Sequence, residues 1–114
     1  MASSRGYLEY ILDQLSGLDG VAFRPMMGEY ILYYNGKIFG GIYDDRLLVR
    51  PTPASSAMMP DAAREKPYEG AKDMLLVGEV DEREFLEELV RATAAELPPP
   101  KPGRRSKGRG DGTV

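Results

Sequence analysis

Residues 27–52 read MGEYILYYNGKIFGGIYDDRLLVRPT, and the fold turns on how this stretch pairs with itself. Asn35-Gly36 and Asp44-Asp45 each stand between alternating apolar runs, and tight two-residue turns select residues that tolerate positive φ. Two successive β-hairpins sharing a middle strand are the expected result. Counting outward from Asn35-Gly36 sets Tyr34 opposite Lys37, Tyr33 opposite Ile38, Leu32 opposite Phe39 and Ile31 opposite Gly40. A two-residue second turn sets Ile42 opposite Leu47 and Gly40 opposite Val49. Side chains alternate across a sheet, so one face receives Ile31, Tyr33, Ile38, Gly40, Ile42, Leu47 and Val49, the expected core face. The other receives Tyr30, Leu32, Tyr34, Lys37, Phe39, Gly41, Tyr43, Arg46, Leu48 and Arg50. It is too apolar for a simple solvated surface and too charged for a buried one, so what covers it is the main functional question.

The chain has 114 residues, enough for one core and too few for two. With 42% hydrophobic and 29% charged residues it has an ordinary soluble composition, and no apolar run nears bilayer-spanning length. A cytoplasmic location with no membrane partner is expected, since MASSRGYLEY lacks the order of a secretory signal. There is no His and no Cys. Disulfides, thiol nucleophiles, His-dependent triads and His- or Cys-ligated zinc are thereby excluded within one chain. Residues 1–97 hold 10 Lys and Arg against 17 Asp and Glu, whereas 98–114 hold five against one. An acidic body carries a basic tail.

Upstream of the hairpins, Leu8, Ile11, Leu12 and Leu15 fall at i, i+3, i+4 and i+7, which predicts a helix over 4–15 capped by Ser3 or Ser4 and ended by Ser16-Gly17. Val21 to Arg24 alternates as a short strand before Pro25. Met26-Met27-Gly28 links it to the hairpins, Gly28 serving either a bulge or a plain turn. Downstream, Pro51 and Pro53 stop the ladder, and Ser55-Ser56 caps a short helix from Ala57 to Arg64, interrupted at Pro60. Lys66-Pro67-Tyr68 reads as a loop or edge strand, and residues 73–80 as a buried strand. Asp81 with Glu84 resembles a capping box opening a helix whose stripe is Phe85, Leu86, Leu89, Val90 and Leu97. Residues 98–114, PPPKPGRRSKGRGDGTV, lack the apolar side chains that would offset the entropy of ordering them, so a disordered tail is expected. The fold class is α+β, with an antiparallel sheet of about five strands flanked by N- and C-terminal amphipathic helices. The domain occupies residues 1–97.

This order of elements resembles the N-terminal domain of the TfoX/Sxy family, bacterial proteins associated with regulation of DNA-uptake competence. The likeness covers about residues 5–97. It is carried by Arg24 with Met26-Met27-Gly28, where the family commonly shows Arg followed by Met-Phe-Gly-Gly, and by Ile38-Phe39 through Arg46-Leu47-Leu48, matching an apolar strand, an acidic turn and a further strand. Met27 stands where Phe is usual and Glu29 where a second Gly is usual. The resemblance implies an antiparallel sheet flanked by helices and a non-enzymatic regulatory role, with no catalytic residues to carry over.

Several residues invite a sharper chemistry. Asp44-Asp45 offers adjacent carboxylates, but no third metal ligand is placed beside them, and Asp is a favoured turn residue. Gly40-Gly41 lies inside a strand without phosphate-loop spacing, so close packing over the sheet is the better reading. Met26, Met27, Met58 and Met59 read as core gap-fillers rather than an adaptable binding surface, and Glu82, Glu84, Glu87 and Glu88 as a solvated helix face. The leading hypothesis is an interaction or regulatory domain that binds protein partners, or itself as a homodimer, through Tyr30, Leu32, Phe39, Tyr43, Arg46, Leu48 and Arg50. No cofactor, metal or catalytic residue is called for. The alternative is a nucleic-acid-associated module in which Arg46, Arg50 and the tail residues Lys101, Arg104, Arg105, Lys107 and Arg109 make weak, non-specific phosphate contacts. A carboxylate-dependent enzyme is the third reading.

Overall fold

Three two-residue turns build most of the sheet. Met27-Gly28, Asn35-Gly36 and Asp44-Asp45 all have positive φ at both positions (53° and 87°, 52° and 83°, 54° and 56°), the backbone that matches a turn to the twist of its flanking strands. The structure, a computed structural model, describes residues 3–98. Strands β1 (Val21–Met26), β2 (Glu29–Tyr34), β3 (Lys37–Ile42) and β4 (Leu47–Val49) follow one another as a meander; β5 (Arg64–Glu65) and β6 (Met74–Leu76) complete an antiparallel sheet of order β1-β2-β3-β4-β6-β5. The sixth strand, beyond the five expected, is the two-residue β5 at one edge. Gly28 serves a plain turn, and Pro25 sits in the other edge strand, where a missing N–H is tolerated.

Between β2 and β3 the register slips by one residue. Tyr34 and Tyr33 face Lys37 and Ile38 as the turn dictates, but Leu32 faces Gly40, Ile31 faces Gly41 and Tyr30 faces Ile42, leaving Phe39 as an extra residue. This is a β-bulge, and glycine permits it: a Cβ on Gly40 would run into the carbonyl of Leu48. Beyond the bulge the expected pairs Ile42–Leu47 and Gly40–Val49 form. The expected faces are therefore half right. Ile42, Leu47 and Val49 lie on the core face, but β2 presents Tyr30, Leu32 and Tyr34 there, not Ile31 and Tyr33, while Ile38 turns outward and is 41% exposed.

Of the helices among the described residues, two are opened by local capping chemistry. Helix α1 (Arg5–Gln14) is capped by Ser4, whose Oγ accepts the Tyr7 N–H at 3.1 Å. Helix α2 (Pro53–Met58) lies earlier than the expected Ala57–Arg64: it stops before Pro60, and Arg64 belongs to β5. Thr52 and Ser55 exchange side-chain to backbone bonds of 3.1 and 2.8 Å as a capping box, with Pro53 at the first helical position. Helix α3 (Arg83–Ala95) begins too late for the Asp81–Glu84 box: its cap position is Glu82, which makes no side-chain capping bond. Leu8, Ile11 and Leu15 from the first helix and its end, and Leu86, Leu89 and Val90 from the last, meet Leu32, Phe39, Ile42, Leu47, Val49, Leu75 and Val77 in one buried cluster. Among the described residues no helix packs on the opposite sheet face.

Candidate interaction face

The bulge divides the residues that the sequence grouped together. Leu32 and Phe39 are fully buried in the cluster beneath the helices, and Tyr30 packs at its rim, edge-on to Phe23 at 6.0 Å. Arg5 in turn lies 5.4 Å over the Phe23 ring. Those three are core residues and leave the proposed face. Tyr43 and Leu48 lie on the outer side of the sheet, with Ala22, Arg24, Ile31, Tyr33, Ile38 and Gly41. The Tyr43 ring folds back over Gly41, where a Cβ would approach it to 2.6 Å.

This outer face is covered on one half and open on the other. Tyr43 and Leu48 are buried, and the loop from β5 to β6 lies beside Tyr43. Arg46 forms an ion pair with Glu65 of β5 and also donates its Nε–H to the Tyr43 carbonyl at 3.2 Å. Lys66 and Asp73 close the loop at 2.9 Å. Among the described residues nothing equivalent lies over β1 and β2: Ile31 and Tyr33 are half-buried, and Ala22, Arg24 and Ile38 are exposed. At the boundary runs a groove of about 600 Å³, lined by Ile38, Gly40, Tyr43, Arg50, Tyr68 and Lys72 among others. Tyr68 is 56% exposed. Burial, then the neighbouring Tyr68 and Glu29, push the Tyr43 phenol above the usual tyrosine value, so it keeps its proton further into the alkaline range. Among the described residues Arg50 and Lys72 have no ion-pair partner.

Other singled-out residues have structural roles. The Asp44-Asp45 turn pins the N-terminal segment: the Asp45 carboxylate accepts the Ser4 N–H at 2.8 Å, Ser3 Oγ accepts the Asp45 N–H at 3.1 Å, and Ser3 Oγ donates to Glu29. Among the described residues no cluster of three or more His, Asp or Glu is arranged to hold a metal ion. Met59 is buried in the cluster, but Met27, expected as core filler, stands 96% exposed at its turn. Glu82, Glu84 and Glu88 are exposed. Lys101, Arg104, Arg105, Lys107 and Arg109, with the disorder expected of their tail, lie outside the described residues. The sequence reasoning missed Ile31, Tyr33, Ile38 and Tyr68 as outer-face residues. The signal for the first three was Gly40-Gly41, since glycine inside a strand marks a bulge.

Among the described residues no helix is long and apolar enough to cross a membrane. The chain is 37% identical over 108 residues to an uncharacterized 12.7 kDa protein in the trpE 5′ region of Spirochaeta aurantia, an alignment that covers 94% of this chain and 93% of that protein. The model of the TfoX N-terminal domain matches residues 13–96, from the end of the first helix through the last. With that match spanning the whole sheet and the groove upon it, the chain belongs to the TfoX N-terminal domain family.

Proposed function

We propose that this chain is a non-enzymatic regulatory domain that works in the cytoplasm through protein contacts, and that the open half of its outer sheet face is where a partner docks. The observation that carries this reading is the strip of Ile31, Tyr33 and Ile38, with Ile38 41% exposed. Aliphatic and aromatic side chains left side by side at the surface favour removal from water, and Tyr adds directional hydrogen bonding to contact area. The association of TfoX-like proteins with competence supports a regulatory role, which we place in control of competence or transcription by protein contact. A second copy of the chain is one partner that such a face suits.

A photo-crosslinking amino acid placed at position 38, compared with the same group at Glu84 on the solvated face of α3, tests the reading in cells. A discrete adduct from position 38, absent from position 84 and lost when Tyr33→Asp is added, is expected. Its mass distinguishes a second copy from another protein. Identical adducts from both positions, or none from position 38, overturn the proposal.

A further inference from the structure

The groove beside the exposed strip carries a charge of its own. The body of the chain is acidic, with 17 Asp and Glu against 10 Lys and Arg over residues 1–97, yet the charges lining the groove are Arg50, Lys72 and Asp73. Asp73 is neutralised by Lys66 at 2.9 Å, and Glu65, on the neighbouring edge strand, is paired with Arg46. Arg50 and Lys72 are exposed and have no ion-pair partner among the described residues. Two uncompensated cations therefore stand in one groove of an otherwise negative body, beside Ile38, Tyr43 and Tyr68.

Resting on the interaction reading above, we infer that this groove receives an acidic segment of a partner protein, whose carboxylates meet Arg50 and Lys72 while its apolar side chains cover Ile38 and Tyr68. A basic segment is disfavoured twice, by these cations and by the lack, among the described residues, of an unpaired carboxylate in the lining. A groove that is not enclosed and that shares Ile38 with the apolar strip suits a length of chain better than an enclosed small molecule. Complementary charge also sets which partner is accepted, because like charges brought together at an interface are penalised. Arg supplies a planar fork for a carboxylate and Lys a mobile point charge, so the two tolerate some variation in where the carboxylates fall.

The test uses the full chain, with three fluorescently labelled peptides as probes: Asp-Phe-Asp-Leu-Asp-Phe-Asp and its Asn and Lys counterparts. Fluorescence anisotropy reads affinity, and amide chemical shifts locate the contact. The Asp peptide is expected to bind at least roughly fivefold more tightly than the Asn peptide, to shift the amides of Ile38, Tyr43, Tyr68 and Lys72, and to lose that advantage in raised salt. Arg50→Glu/Lys72→Glu, with an unchanged circular dichroism spectrum, should make the Lys peptide the preferred one at those same amides. Two milder substitutions, Arg50→Gln and Lys72→Gln, should each remove part of the Asp preference. Asp-peptide binding that survives the charge reversal, as it would at the basic residues beyond Pro98, overturns the inference, as does the absence of binding by any peptide. Equal Asp and Asn affinities, both lost on Ile38→Asp, overturn the acidic partner while leaving the interaction face in place.

Discussion

Ile38 and Ile42 share a strand and four positions of spacing, yet only Ile42 is buried, because the extra residue Phe39 turns the strand over between them. Their truncations should differ accordingly. Ile42→Ala is expected to cost about 2–5 kcal/mol by urea unfolding and Phe39→Ala about 3–5 kcal/mol, the usual ranges for emptying a packed site. Ile38→Ala, at the surface, should stay within about 0.5–1 kcal/mol; equal costs at 38 and 42 would mean that the bulge is absent. Alternation alone was enough to place Ile42, Leu47 and Val49, since these lie on the far side of the bulge and pair through their own turn. It misplaced Ile31, Tyr33 and Ile38 because period-two counting carries a one-residue insertion into every position beyond it. The physical cause was visible in the chain as Gly40-Gly41, read there as close packing.

At the scale of elements, the β1–β2 hairpin has an unusual turn residue. Met27 holds φ 53° and is 96% exposed, so it bears the strain of a left-handed backbone without packing in return, whereas Asn35 occupies the corresponding position of the next turn. Met27→Asn should therefore raise stability by about 0.5–1 kcal/mol, read as a higher urea midpoint at unchanged slope; a loss would show that Met27 packs against something. Segment 64–73, the edge strand β5 and the loop that covers the outer face beside Tyr43, is held by the pairing of β5 with β6 and by the ion pairs Arg46–Glu65 and Lys66–Asp73. Arg46→Glu sets two carboxylates beside each other at Glu65 and should loosen this cover, exposing its loop to protease. Arg50→Glu, with no partner among the described residues, should leave protease resistance unchanged. That contrast was beyond the sequence, which placed both arginines on one face but gave no sign that β5 would reach Arg46.

Across the whole molecule the sheet has two differently covered sides, and each holds a tyrosine whose phenol is pushed above its ordinary value. Tyr7, at the margin of the helix-side cluster, is raised chiefly by burial and then by the charge of Asp45 and the neighbouring Tyr10, against a hydrogen bond at Leu47. Tyr43 on the outer side is raised chiefly by burial, then by Tyr68 and Glu29. The unfolded chain releases both protons near the usual tyrosine value of about 10. The folded chain holds them longer, so between those two points the native state binds more protons and stability falls as pH rises. The contribution is fully present below about pH 10 and is lost as pH climbs through the raised folded-state values. Urea unfolding between pH 8 and pH 11 should therefore show a stability that declines at the alkaline end, and Tyr7→Phe and Tyr43→Phe should each flatten the decline. Because the two rings sit on opposite sides of the sheet and share no partner in these interactions, the flattening in the double variant should equal the sum of the single effects within about 0.3–0.5 kcal/mol. A double variant no flatter than either single one would mean that the helix side and the outer cover open together, as a single unit joined through the sheet.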